Sequence, residues 1–165
     1  MTDPVDLPAA VIQALAERGQ TLATAESLTG GLLGATITAV PGASKVYVGG
    51  VVTYATELKQ RLLGVADADV AAFTVISPQV ASGMARGVLD ATGADWGIAV
   101  TGVAGPDPQD GHAPGEVWVA VRGRTPRGPE VGVAERFDFA GDRREIRDAT
   151  VAASLALLLT LLSPV

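Results

Sequence analysis

The chain has 165 residues, 48% of them apolar but only 4% aromatic, which suits a single domain whose core is Val, Leu, Ile and Ala. A formal net charge of −6 argues against a generic binder of phosphate backbones, whose affinity comes from clustered Lys and Arg. No cysteine means no disulfide, thiolate nucleophile or thiolate zinc site, and one histidine, His112, rules out a multi-histidine metal centre.

Apolar residues recur at helical spacing over Val5–Arg18 and stop at Gly19, a natural C-cap. Thr21–Glu26 reads as a short strand and Gly30–Val40 as a helix ended by Pro41-Gly42. Val46–Tyr54, rich in β-branched residues, is the clearest strand. Thr56–Leu63 predicts a short helix closed by Gly64, with Thr56 as its cap, and Asp67–Phe73 another. Ser77-Pro78 is a helix start, and that helix runs to Thr92 before Gly93.

Trp96–Thr101 is the kind of continuous apolar strand that is buried on both faces. After a loop at Asp107–Gly115, Glu116–Arg122 and Val131–Phe139 pair as a hairpin across Gly123–Glu130. Asp142 caps the last long helix. This order predicts one domain over residues 1–165, a three-layer α/β/α sandwich with a mixed, mostly parallel sheet. The apolar tail Val151–Leu162 is shorter than the ~20 residues needed to cross a bilayer, and no basic segment with an apolar stretch opens the chain. A cytoplasmic protein without a membrane partner is expected, with the last helix in the core or at a homo-oligomer interface.

Several familiar signatures are missing. The chain has no G-x-x-x-x-G-K-[ST], no G-x-G-x-x-G and no G-x-S-x-G. What stands out is Ser27 in Thr24-Ala25-Glu26-Ser27-Leu28-Thr29-Gly30-Gly31, where a strand gives way to a helix. Such a junction holds a side chain rigidly and offers unpaired N–H groups to an anion. Ser27 reads either as an N-cap or as a nucleophile in need of a base. Lys59, at the third helical position after Thr56, sits where Glu or Gln is preferred, and that mismatch hints at function. Helix field and burial would both lower its pKa, and a neutral lysine can take a proton from a hydroxyl. The other reading is a solvated lysine.

Tyr54, at a strand end, could relay a proton or be a half-buried aromatic. In Thr101-Gly102-Val103-Ala104-Gly105-Pro106, exposed N–H groups and the Thr101 hydroxyl could hold an oxyanion or a phosphate, or form an ordinary turn. His112 reads as a surface residue. Arg143, Arg144 and Arg147 surround the last helix start, where they pair with Asp142 or Asp148 or bind a phosphate.

Taken in order, Thr24–Gly31, Gly49–Val65, Gly97–Pro106, Gly115–Val121 and Gly141–Thr150 together resemble the CinA C-terminal domain family, which includes nicotinamide-nucleotide amidases. The resemblance runs from about Val11 to Leu159. It implies hydrolysis of nicotinamide mononucleotide to nicotinate mononucleotide and ammonia, with Ser27 as nucleophile, Tyr54 and Lys59 as the supporting pair, and Thr101 in the family's Val-Thr-Gly-x-Ala-Gly-Pro loop. Thr29, Gly30, Gly31, Gly102 and Gly105 would contact the substrate, with its phosphate near Gly30 and Gly31 and Arg143 as a second candidate. No metal or cofactor is implied.

This chain departs from the pattern at Leu28, where the family commonly has Cys, at Thr56, where it often has Asn, and near His112, where it has a lysine. Many members also carry an N-terminal nucleotide-pyrophosphatase domain, for which 165 residues leave no room. The competing expectation is a non-catalytic nucleotide-binding module, or an interaction protein tied to competence or DNA damage, without direct nucleic-acid contact.

Overall fold

Large and small side chains divide between the two faces of the central strands, and this division sets the architecture. In the computed structural model, residues 5–125 and 128–163 are described. The five strands are β1 (Leu22–Glu26), β2 (Tyr47–Val52), β3 (Trp96–Gly102), β4 (Glu116–Gly123) and β5 (Val131–Asp138). Their order in the sheet is β2-β1-β3-β4-β5; β1 is parallel to β2 and β3, while β4 is antiparallel to β3 and β5. Only β4 therefore runs against the others, as a mixed, mostly parallel sheet requires.

One face carries the bulk. Leu22, Ile98, Val100, Val117, Val119 and Val121 pack with Leu15 of α1 (Leu7–Arg18), Leu33 and Ile37 of α2 (Leu32–Thr38), and Leu155 and Leu158 of α6 (Arg143–Leu162). The opposite face presents Ala23, Ala25, Ala99 and Ala120 to α5 (Pro78–Thr92), with Leu63 of α3 (Thr56–Leu63) in the same cluster and α4 (Asp67–Phe73) alongside. Small strand residues bring α5 close to the sheet. A Cβ on Gly97 would lie 2.9 Å from the Ala85 carbonyl oxygen, nearer than real Cβ atoms approach.

The caps follow the sequence with two exceptions. Asp6 accepts from the Ala9 N–H and Ser77 from the Val80 N–H, while Asp142 and Glu145 form a reciprocal capping box at α6. The helix expected from Gly30 starts only at Leu32, because Gly30 (φ +58°) and Gly31 (φ +104°) take left-handed angles that make a turn. At α3 the N-cap is Ala55, not Thr56, and no side chain caps it. The hairpin between β4 and β5 is present, but residues 126 and 127 of its loop lie outside the described residues.

Helix α3 owes its position to one glycine. A Cβ on Gly87 of α5 would fall 2.0 Å from the carbonyl oxygen of Leu63, the last residue of α3. Gly87→Ala should therefore force the two helices apart and lower the unfolding free energy by ~1–3 kcal/mol despite better helix propensity. Chemical denaturation checks this; an unchanged or higher midpoint would show that α3 yields freely.

Candidate active site

The carboxyl ends of β1, β2 and β3 open into a cavity of ≈ 380 Å³, where open α/β sheets generally bind ligands. Ser27 follows the last residue of β1 directly. Its N–H donates to the Val100 carbonyl (3.1 Å), and the Thr53 N–H donates to the Glu26 carbonyl (2.8 Å). These bonds extend the ladders on both sides of β1 past its end, so Ser27 is held like a strand residue.

Lys59 reaches the same point from α3 and is 2% exposed. Its Nζ lies 2.7 Å from the Thr53 carbonyl oxygen, 3.2 Å from that of Tyr54 and 3.0 Å from Ser27 Oγ. No carboxylate pairs with it among the described residues. Burial lowers its pKa to about 8, against a weaker opposing pull from Glu57. Because the N-cap is Ala55, Lys59 is the fourth helical residue, not the third. Desolvation rather than the helix start is the main cause of the shift.

The two carbonyls can only accept hydrogen bonds. A neutral lysine has two N–H bonds and one lone pair. With both N–H groups on carbonyls, the lone pair is left for the Ser27 hydroxyl. The arrangement suits an amine that takes a proton from serine.

Tyr54 lines the cavity together with Ser27 and Lys59. Its carbonyl holds Lys59, but its side chain is exposed and its hydroxyl accepts from Arg143 Nη2 (2.9 Å). Arg143 Nη1 donates to the Gly105 carbonyl (2.7 Å), and both residues line the cavity. The direct Lys59–Ser27 contact leaves no gap for a phenol to bridge. Thr101 lines the cavity and gives its hydroxyl proton to the Val75 carbonyl (2.8 Å), so towards a ligand its oxygen only accepts. Gly102 and Gly105 also line it. A Cβ on Gly102 would come within 2.6 Å of the Glu116 carbonyl oxygen, so that glycine answers to packing of β3 on β4. Among the described residues, no protein acceptor meets the N–H groups of Leu28, Ala104 and Gly105, all of which line the cavity.

The expected phosphate seat at Gly30 and Gly31 is corrected by a residue that sequence reasoning missed. Glu26, 3% exposed, accepts from the N–H groups of Gly31 (3.2 Å), Leu33 (2.9 Å) and Gly34 (3.0 Å). The protein's own carboxylate thus occupies the start of α2, and an external phosphate would meet negative charge there. Thr29, Gly30 and Gly31 do not line the cavity. Arg147 fastens this turn from α6, donating to the carbonyls of Leu28 (3.1 Å) and Thr29 (2.8 Å). Arg143 and Arg147 are one helical turn apart and clamp opposite sides of the site. Arg144 instead faces Asp148 at 3.8 Å in solvent. His112, read as a surface residue, is only 21% exposed in its side chain and bonds Glu116 and Thr74. Among the described residues there is no group of His, Cys, Asp or Glu that could hold a metal, and no helix long and apolar enough to cross a membrane.

A three-layer α/β/α sandwich with a buried serine–lysine pair at the carboxyl ends of its parallel strands is the class that fold and site define. The profile of the CinA C-terminal domain matches residues 5–162, and the chain belongs to that family. A CinA-like protein of Frankia casuarinae is 41% identical over 157 residues, covering 95% of this chain and 35% of the relative. One of Chlorobaculum tepidum is 42% identical over 159 residues, covering 96% and 38%. The chain thus spans little more than a third of the curated relatives it matches. Among solved structures, a competence-damaged protein (CinA) superfamily protein from Enterobacter cloacae superposes with a TM-score of 0.91 at 34% identity, over 99% of this chain and 96% of that one. The competence/damage inducible protein CihA from Agrobacterium tumefaciens gives 0.88 at 33%, over 99% of both.

The lowered pKa of Lys59 links stability to pH. Unfolded, its pKa returns toward 10.5, so between about 8 and 10.5 the unfolded chain binds more protons than the folded one. The contribution is fully present above 10.5 and is lost as pH falls through about 8. The stability of the wild type relative to Lys59→Met should therefore rise from pH 8 to 10.5 and level off below. Denaturation midpoints across that range test this, and a flat difference would show that Lys59 titrates normally.

Proposed function

We propose that this chain is an amidohydrolase that converts nicotinamide mononucleotide to nicotinate mononucleotide and ammonia. The observation that carries the reading is the 3.0 Å contact between Lys59 Nζ and Ser27 Oγ, with both remaining close partners of the amine being carbonyl oxygens. Lys59 accepts the Ser27 proton as Oγ attacks the carboxamide carbon. The developing oxyanion is met by free N–H groups of Leu28 or of the Ala104–Gly105 turn, one such donor being worth ~3 kcal/mol. The C–N bond breaks as Lys59 returns its proton to the leaving nitrogen, giving ammonia and an acyl ester on Ser27. Water then attacks the ester, and Lys59 takes a proton from it and passes it to Ser27 Oγ as the acyl–oxygen bond breaks, which restores the hydroxyl and the neutral amine and leaves the carboxylate product with one proton released to solvent.

The cavity volume falls in the usual range for small-ligand sites. With the start of α2 closed by Glu26, Arg143 becomes the first candidate for the substrate phosphate. Tyr54 helps by holding Arg143 with its hydroxyl and Lys59 with its carbonyl. Thr101 and Gly105 remain in contact with the substrate in this reading, Gly102 serves packing, and the turn at Thr29, Gly30 and Gly31 supports Ser27 from behind.

Ammonia release from nicotinamide mononucleotide tests the reading. Ser27→Ala and Lys59→Met should each lower kcat by ~10³-fold or more. Wild-type activity should rise with pH through about 8 as Lys59 loses its proton. Arg143→Ala should act mainly through KM. Turnover by Ser27→Ala equal to wild type would remove the mechanism, and binding without turnover in the wild type would favour a nucleotide-binding module.

A further inference from the structure

The sole histidine joins two segments that wall the cavity, although it does not line the cavity itself. One segment is the turn Thr74–Ser77, which contributes Val75 and Ile76. The other is the loop Val103–Gly115, which contributes its first half. Thr74 has φ +66° and ψ 171°, a region that residues with a side chain rarely enter. Its hydroxyl is engaged twice: the Ile76 N–H donates to Oγ1 (3.3 Å), and Oγ1 lies 2.8 Å from His112 Nε2. The Ser77 hydroxyl donates to the Thr74 carbonyl (3.0 Å). His112 Nδ1 is 2.9 Å from Glu116 Oε2 at the buried start of β4. An imidazole that donates from Nδ1 to this carboxylate can accept the Thr74 hydroxyl proton at Nε2, which satisfies every partner. The next residue, Val75, presents its carbonyl to Thr101.

We propose that His112 is a positioning residue for the active site. By bonding Thr74 it holds a strained backbone that turns Val75 and Ile76 into the cavity and keeps the Val75 carbonyl on Thr101. The hydroxyl–imidazole–carboxylate order resembles a hydrolytic triad, but Thr74 does not line the Ser27 cavity and its oxygen already accepts the Ile76 N–H. Its role is therefore in backbone geometry, not nucleophilic attack.

The kinetic test rests on the amidase reading, so a second arm does not. A glutamine at 112 can keep a polar atom near the position of Nε2 and so retain Thr74; an asparagine reaches only the position of Nδ1 and retains Glu116 alone. His112→Ala and His112→Asn should raise KM for nicotinamide mononucleotide about tenfold with kcat nearly unchanged, and His112→Gln should restore most of the loss. Glycine adopts the Thr74 angles without strain. In a Thr74→Gly background, His112→Ala should therefore have little further effect on KM. Independently of turnover, the backbone amide NMR signals of Val75, Ile76 and Ala104 should shift in His112→Asn and return in His112→Gln. Equal behaviour of Asn and Gln, or amide signals that stay in place, would overturn the proposal. A wild type that releases no ammonia would sink the amidase reading and leave the amide signals to decide this one. Should His112→Ala not fold, the Asn–Gln comparison stands without it.

Discussion

An amine removed from water, with no carboxylate among the described residues to meet it, is the constraint around which this site is built. Burying an ammonium is costly, and a paired anion would repay that cost while fixing the proton in place. Lys59 instead meets two carbonyl dipoles and a hydroxyl. The carbonyls satisfy its N–H groups without matching its charge, so the neutral form becomes accessible near pH 8. The nearby Glu57 is exposed and opposes the shift only weakly. The carbonyls of Thr53 and Tyr54 are available because the chain leaves the sheet after Val52 and turns sharply into α3.

The two faces of the sheet serve this amine differently. The alanine face brings α5 close, and Gly87 then fixes the end of α3, so the depth at which Lys59 enters depends on absent side chains as much as on present ones. On the bulky face, α6 packs its apolar residues on β3 and β4 and sends Arg143 and Arg147 to the rim. One helix start thereby ties the turn after β1 to the turn after β3. The site is held together by contacts among elements distant in sequence rather than by any one loop.

Much of this was legible in the residues. The layer order, the hairpin and most caps follow from periodicity and from Gly, Pro, Ser and Asp at the ends of elements. Lys59 stands out because a cation near a helix start violates local preference, and Ser27 because a polar residue follows a buried strand. The other contacts depend on tertiary distance. Glu26 carried a signal of its own, an acid closing an otherwise buried apolar strand just before a helix, but its three acceptor bonds form only when the Gly30–Gly31 turn folds back. Arg143 and Arg147 share a helix face by spacing, yet nothing local tells which carbonyls they reach. The bonds of His112 to Thr74 and Glu116 join segments whose proximity requires the whole sheet. The bond between the Tyr54 hydroxyl and Arg143 is of the same kind, because strand position gives a side chain's face but not the pull of a guanidinium from a distant segment.

The carboxylate of Glu26 has a consequence for what this backbone could become. A glycine-bearing turn leading from a strand into a helix is the framework with which many proteins seize phosphate, and here that capacity is cancelled from within. Replacement of this single acid by a neutral residue would leave the same ring of amides with nothing to hold, one residue from the serine. The difference between a scaffold that shelters a hydroxyl and one that captures an oxyacid ion would then rest on the presence of one internal negative charge.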